Sequence, residues 1–395
     1  MGTRNQHPDQ NDTITIVGAG PAGLACAIAL ARAGRQVVVR EWHETVGARF
    51  HGDFQGLENW SRETDILQDL EENGITPDFD CLPVQTGTAF DAWANRYEIT
   101  SRRPLYYLVR RGPGPGTLDT GLLRQARDLG VEVRFNDRAK NAGDASVLAI
   151  GPRVADAIAV GYVFETEMPD GDWICFNNRL APKGYAYLLV HGGHGTVASC
   201  IFSDFKHEAE YLTRTVDFFR EQAGLTMRNP RPFGGFANFR LPRTGIQGGR
   251  LVVGEQAGFQ DALAGFGLRY AFRSGFIAAR SLTTKSRYED MWRREFLPLF
   301  RAGTVNRFVF SVLGEHGWRW ILKKLSRTDA ALGLRRLYQP SPMTRLLFPL
   351  ARLRYHTQLH DPSCDHRNCT CVWCRCQSQT TTSGKNWTGV WPANV

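Results

Sequence analysis

The chain has 395 residues, 42% of them hydrophobic and 22% charged, which suits a folded protein of two domains or one large domain with a lobe added. Its formal charge of +9 favours anionic partners such as phosphate-bearing cofactors or acidic lipid surfaces, and with no basic module interleaved with aromatics, nucleic acid is not an expected partner. The polar start MGTRNQHPDQNDT lacks the apolar core of a secretory signal and no run of about 18 apolar residues follows, so a cytoplasmic protein without a spanning helix is expected.

Ile14-Thr15-Ile16-Val17 reads as a short buried strand ending at Gly18. Leu24, Ala27, Ile28 and Ala31 then recur at helical spacing on one face, Gly34 closes that helix, and Val37-Val38-Val39 give a second strand ending at Glu41. Strand, glycine turn, helix and strand in so short a span is a βαβ unit with parallel strands. From 53 to 116 charged helical fragments alternate with short strands, up to the turn-rich Arg110–Gly116. A helix over Asp119–Leu129, a strand over Val131–Phe135 and a buried strand at Val147–Ile150 follow. Residues 160–240 read as β-rich, with strands at Trp173–Phe176 and Tyr185–Val190; Leu251–Gly254 returns to the buried-strand pattern, a helix starts after Gly267, and 285–358 is helical, basic and rich in large apolar residues.

The first chemical motif is Gly18-Ala19-Gly20-Pro21-Ala22-Gly23. Gly18 permits the sharp turn off the strand, Gly20 leaves room for a pyrophosphate at the helix N-terminus, and Gly23 lets helix and strand approach closely. Glu41 stands where an acid accepts from a ribose hydroxyl. Placed between a strand and a helix, with the acid at the end of the next strand, the motif reads as a dinucleotide site. It leaves FAD and NAD open, since both present the same pyrophosphate.

The motifs that follow settle that choice by resemblance. Gly47-Ala48-Arg49, Leu118-Asp119 through Phe135, Ala149-Ile150-Gly151 and Val253-Gly254-Glu255-Gln256-Ala257-Gly258 recur in order. Together they resemble the glutathione-reductase-type FAD fold of the p-hydroxybenzoate hydroxylase superfamily, and within it the geranylgeranyl reductase-like oxidoreductases, over roughly residues 12–282. The resemblance implies FAD as cofactor. It implies that Gly254-Glu255 stands for a Gly-Asp pair touching the ribityl chain, here with a longer acid. It also implies that Ala262-Leu263-Ala264-Gly265-Phe266-Gly267 stands for a Pro-x-x-Gly-x-Gly loop beside the isoalloxazine, with Ala262 in the proline position. Arg49 matches an arginine near the cofactor phosphates, or is a surface cation. Arg111 matches an arginine ahead of the helix, without a stated role.

Tyr185-Ala186-Tyr187-Leu188-Leu189-Val190 is similar to the substrate-side Tyr-x-Trp-x-Phe-Pro pattern of prenyl reductases, with Tyr187, Leu189 and Val190 in place of its tryptophan, phenylalanine and proline. Tyr185 and Tyr187 are therefore candidates for the wall of a hydrophobic substrate site, the alternative being an ordinary core strand. His51, Asp53 and Glu58 are polar groups near the expected cofactor, and none is assigned as the acid. Cys26, Cys81, Cys175 and Cys200 read as buried small hydrophobes. Cys364, Cys369, Cys371, Cys374 and Cys376 cluster tightly enough to hold Zn²⁺ or an iron–sulfur cluster, with redox-active thiols or a partner-completed site as alternatives. Trp318, Trp320, Ile321, Leu322, Leu346, Leu347 and Phe348 alternate with Lys323, Lys324, Arg335, Arg336, Arg345, Arg352 and Arg354, a pattern that suits peripheral contact with an acidic membrane or helices packed on the core with basic outer faces.

The expected architecture is α/β. A Rossmann-type FAD-binding domain (12–160 and 240–284) carries an inserted β-rich substrate lobe (161–239), a helical C-terminal region (285–360), a Cys-rich segment (361–376) and a polar tail (377–395) expected to be disordered. The expected activity is reduction of a double bond in a hydrophobic, isoprenoid-like or lipid substrate, with NAD(P)H or a ferredoxin as electron donor. A flavin monooxygenase or halogenase on the same fold is the alternative, the halogenase branch weakened by the lack of a Trp-x-Trp-x-Ile-Pro stretch. An electron-carrying or partner-docking protein built on the cysteine cluster is a third.

Overall fold

Strand β1 (Ile14–Val17) is almost wholly buried, as four apolar or β-branched residues between two neighbours must be. Helix α1 (Pro21–Arg32) follows it, with Pro21 opening its first turn, and leads into β2 (Val37–Arg40). The computed structural model describes residues 13–138, 145–152, 155–238 and 241–354. In it β1 is central to a six-stranded sheet, pairing in parallel with β2 and with Val147–Leu148. Glu132–Arg134 extends the sheet beyond β2, and Arg250–Val252 extends it beyond Val147–Leu148, also in parallel.

The helix Leu268–Thr284 packs across α1, close enough that a Cβ on Gly275 would stand 2.5 Å from the Ala22 carbonyl oxygen. Behind it lies a knot of aromatic rings, with Phe259 5.1 Å from Trp292 and 5.2 Å from Phe296. Tyr288 reaches into this core and donates to the Val252 carbonyl at 2.8 Å.

A second sheet of seven strands runs Arg228–Ala237, Ala157–Glu165, His194–Ile201, Tyr185–His191, Gly171–Cys175, Thr86–Phe90 and Arg96–Thr100. Two of these come from far ahead of residue 161, where the lobe was expected to begin. Thr86–Phe90 pairs in parallel with Gly171–Cys175, which would otherwise present an open edge. Pairing between segments so distant leaves no mark in local periodicity. A helix, Glu208–Ala223, also interrupts the β-rich stretch; Leu212, Val216 and Phe219 form its buried stripe and Gly224 ends it in the left-handed region. The signal for it was the spacing of those three residues. A small third sheet, Phe54–Glu58, Tyr106–Arg110 and Cys81–Val84, completes the β-structure.

The C-terminal part is helical: Tyr288–Leu325, broken at Gly314 (φ 58°, ψ −144°), then Ala330–Tyr338 and Pro342–Arg354. The alternating apolar and basic pattern there divides in two. Ile321 and Leu322 are buried, and Trp318 stacks on Phe176 at 4.0 Å and on Phe310 at 4.4 Å, so these belong to the core. Trp320 and Leu346 are exposed. Of the four scattered thiols, all free, only Cys26 and Cys175 are fully buried; Cys81 and Cys200 are half-buried, which corrects the expectation for those two. Among the described residues no helix is long and apolar enough to cross a membrane, and no group of His, Cys, Asp and Glu could hold a metal ion. The Cys364–Cys376 cluster and the tail lie outside the described residues.

The second and third sheets are tied by one polar chain. Tyr106 donates from its hydroxyl to Asp172 at 3.0 Å, and the other Asp172 oxygen lies 3.1 Å from His191 Nε2. Burial alone would lower the His191 pKa, but Asp172 and Asp170 outweigh it and hold the imidazole above its ordinary value. A raised folded-state pKa means that the stabilisation is complete below about pH 6.5, the unfolded value, and is lost as pH rises through the folded one. His191→Gln is expected to lower stability by about 1.5–3 kcal/mol in mildly acidic buffer and much less in alkaline buffer, read from urea unfolding across pH. An equal loss at both ends would show that the ring acts by packing alone.

Candidate functional site

A large cleft, about 810 Å³ in volume, begins where β1 yields to α1 and runs to the loop ahead of Leu268. That volume is within the range of pockets that enclose a cofactor or a drug-sized ligand. Its two halves differ in chemistry.

The first half is polar and built from backbone. Gly18 leaves β1 at φ 107°, and a Cβ there would lie 2.2 Å from the Ala149 carbonyl oxygen. A Cβ on Gly23 would lie 2.0 Å from the Gly18 carbonyl oxygen, so this residue fixes how closely α1 sits on the sheet. Gly20 differs: nothing lies within 4 Å of the position its Cβ would take. The first turn of α1 thus presents N–H groups and the positive end of the helix to open space, the arrangement that receives a phosphate. Glu41 accepts from the Ala19 N–H at 2.8 Å and the His43 N–H at 2.9 Å, one on each oxygen, leaving lone pairs on both for a ribose hydroxyl. Gly18, Ala19, Gly20, Pro21, Ala22 and Glu41 all line the cleft; Gly23 stands behind it, in a packing role.

Arg49 and Glu255 meet at the middle of the cleft, 3.2 Å apart, with Arg49 half exposed. Burial pushes the Glu255 carboxyl above its usual range, against the pull of Arg49 and the Asn238 N–H. Arg111, near them, makes a two-pronged bond to Asp119 (2.9 and 2.8 Å) and a third bond to Gln55 at 2.9 Å, which ties the third sheet to the Leu118–Asp128 helix. The three polar groups singled out near the cofactor do not line the cleft. Asp53 turns back to the His51 N–H and the Gln55 amide, both at 3.0 Å. Glu58 accepts from the Trp60 and Ser61 N–H groups and the Ser61 hydroxyl. His51 is exposed.

The second half is aromatic. Phe54, Tyr106, Trp173, Tyr185, Tyr187 and Leu189 line it, drawn from the second and third sheets, and Gly265-Phe266-Gly267 forms its edge. Cys200 opens into it, its thiol pushed up to about 12 by burial. Burial also raises the phenols of Tyr185 and Tyr187 well above their usual value, so both remain neutral O–H groups. Tyr185 is more than a wall: it donates to the Ala264 carbonyl at 2.6 Å and so holds the loop.

That loop is organised by residues the sequence did not single out. Asp261, buried, accepts from the Leu263 and Ala264 N–H groups at 2.9 and 2.7 Å and from the Tyr338 hydroxyl at 2.7 Å. Gln260 donates to the Gly265 carbonyl at 2.6 Å. The only mark Asp261 leaves in sequence is an acid two residues ahead of a small-residue run, the spacing of an Asx turn. Tyr338, 77 residues away, leaves none.

The residues fit a flavin dinucleotide: an open helix N-terminus, an acid with free lone pairs, and an apolar recess at the far end. Residues 16–55 match the family model of an NAD(P)-binding Rossmann-like domain. The chain is 24% identical over 365 residues to digeranylgeranylglycerophospholipid reductase 1 of Methanopyrus kandleri, covering 80% of this chain and 94% of that one. It is 29% identical over 153 residues to a putative glutamate synthase [NADPH] small chain of Cereibacter sphaeroides, spanning only 36% of that relative. Among solved structures, a geranylgeranyl bacteriochlorophyll reductase-like protein from Thermoplasma acidophilum superposes with a TM-score of 0.64 at 16% identity, over 88% of this chain and 98% of that one. The flavin-dependent brominase Bmp2 gives 0.59 at 16% identity, over 87% and 98%.

The two glycines of the turn separate folding from binding. Gly23→Ala is expected to cost about 1–3 kcal/mol in urea unfolding, because the new methyl meets backbone that cannot yield. Gly20→Leu is expected to change stability by less than about 0.5 kcal/mol while the flavin bound after purification falls at least tenfold, read by absorbance against protein. Full flavin content in Gly20→Leu would remove the pyrophosphate from this turn. By fold, sequence and cleft, the chain is an FAD-dependent oxidoreductase similar to the geranylgeranyl reductase-like flavoproteins.

Proposed function

We propose that the enzyme reduces a carbon–carbon double bond in a hydrophobic, isoprenoid-like substrate. The observation that carries this reading is the aromatic half of the cleft. It is continuous with the dinucleotide half and is walled by Phe54, Tyr106, Trp173, Tyr185, Tyr187 and Leu189. Predominantly apolar side chains, with Asp172 and Thr88 among the few polar ones, favour a substrate that gains by leaving water and limit water at the reacting atoms. The similarity to a digeranylgeranylglycerophospholipid reductase supports the same substrate class.

When bound, reduced flavin would supply a hydride to one carbon of the double bond, a protein acid or water the proton to the other, and NAD(P)H or a ferredoxin the electrons that restore the flavin. The chain's own part is to place and shield. Gly18–Ala22 and Glu41 receive the pyrophosphate and ribose. Arg49 balances the buried Glu255 beside the ribityl chain. The Gly265–Gly267 loop, held by Asp261, Gln260 and Tyr185, leads into the Leu268–Thr284 helix, whose N-terminal end favours negative charge on the reduced ring.

Protein reduced by dithionite under argon and mixed with polyprenyl lipids is expected to recover its oxidised-flavin absorption and yield a saturated product. No recovery with any polyprenyl lipid contradicts the proposal. Recovery with oxygen alone, giving a hydroxylated or halogenated product, assigns the monooxygenase or halogenase reading that the brominase-like fold supports.

A further inference from the structure

The last described helix, Pro342–Arg354, has two apolar sides. One packs on the long helix Tyr288–Leu325: Thr344 and Ala351 are buried, and Arg301 lies over the Phe348 ring at 5.3 Å. The other faces outward. Met343, Leu346 and Leu350 are 66%, 79% and 54% exposed. Their spacing of three and four residues places them in one strip along the helix. A leucine removed from water gains about 1.5–3 kcal/mol, and soluble surfaces scatter such residues singly. Folding alone does not account for a strip.

Charge says what the strip meets. From Ala330 to His360 the sequence holds no Asp or Glu, while Arg335, Arg336, Arg345, Arg352 and Arg354 fall within it. Arg335 is taken by Glu63 at 3.1 Å. Arg345 and Arg352, two turns apart on the same helix as the strip, are exposed. An apolar strip with a row of arginines along one side, on a helix lying flat against the body, matches a helix at a bilayer interface. There the leucines enter the acyl boundary and the guanidiniums meet phosphate.

We propose that Met343, Leu346 and Leu350, with Arg345 and Arg352, dock the protein on an anionic phospholipid bilayer. The sequence pattern over 316–358 pointed to a broader contact. The structure narrows it, because Trp318, Ile321 and Leu322 are committed to the core. Docking here is a property of the surface and does not depend on the reaction in the cleft.

The test is sedimentation of the full-length, flavin-loaded protein with vesicles of phosphatidylcholine alone or mixed with phosphatidylglycerol. Binding is expected to the mixture, to weaken steeply with added salt, and to be slight with phosphatidylcholine alone. Leu346→Glu with Leu350→Glu is expected to lower affinity by about tenfold or more. Arg345→Gln and Arg352→Gln should each lower it about fivefold. Flavin content and gel-filtration profile show that each variant is folded. No sedimentation of the unchanged protein with the mixed vesicles, or equal binding by the double leucine variant, overturns the proposal. A dimer that the leucine variant splits, without vesicle binding, overturns it as well and gives the face to a second copy. No prenyl turnover enters these readings, so this proposal and the reductase assignment fail separately.

Discussion

The whole arrangement depends on two backbones meeting without side chains between them. At Gly18 a methyl group would overlap the Ala149 carbonyl oxygen beside the neighbouring strand, and at Gly23 α1 approaches the end of β1 so closely that a methyl group would overlap the Gly18 carbonyl oxygen. This contact aims the helix N-terminus, and the helix N-terminus makes the first half of the cleft a place for an anion. Gly20 has the opposite character, with open space where a side chain would stand. One short turn therefore contains both close backbone packing and an open approach, which is what a backbone-lined phosphate site requires.

From that fixed point the cleft is assembled by elements far apart in sequence. The six-stranded sheet supplies the nucleotide end, and the other two sheets supply the aromatic walls. The loop between the halves is held from both sides. Tyr185 of the second sheet holds the Ala264 carbonyl, and Tyr338 of the helical region holds Asp261. Burial raises the Asp261 pKa, while the Leu263 N–H, the Tyr338 hydroxyl and the Ala264 N–H draw it back down. A buried carboxylate of this kind is tolerable only when its oxygens are occupied, so the loop and the C-terminal helices are constrained together. The C-terminal helices thus help to shape the redox site from outside the Rossmann unit.

The sequence was most readable where structure is local. β1, α1 and β2 follow from apolar periodicity and three glycines, and Glu41 from its distance to them. The Leu118–Asp128 helix and the Tyr185–His191 strand were legible for the same reason. What escaped is non-local. Thr86–Phe90 joins the second sheet through a parallel pairing that no turn specifies. Asp53 and Glu58, plausible by proximity in sequence, turn back to satisfy their own backbone. Tyr185 was legible as a cleft residue but not as the support of a loop 79 residues away. The Glu208–Ala223 helix was local and still passed over, because the strands around it set the reading of that stretch.

The central claim is that a flavin dinucleotide lies with its pyrophosphate at the start of α1. The most direct measurement is the visible spectrum of the purified protein, before and after titration with FAD, with the bound cofactor released by heat and identified by chromatography. The account predicts a yellow protein, or a colourless one that takes up one FAD per chain and prefers it to FMN, which lacks the adenosine half. A protein that stays colourless in excess FAD, or that binds FMN equally well, contradicts it.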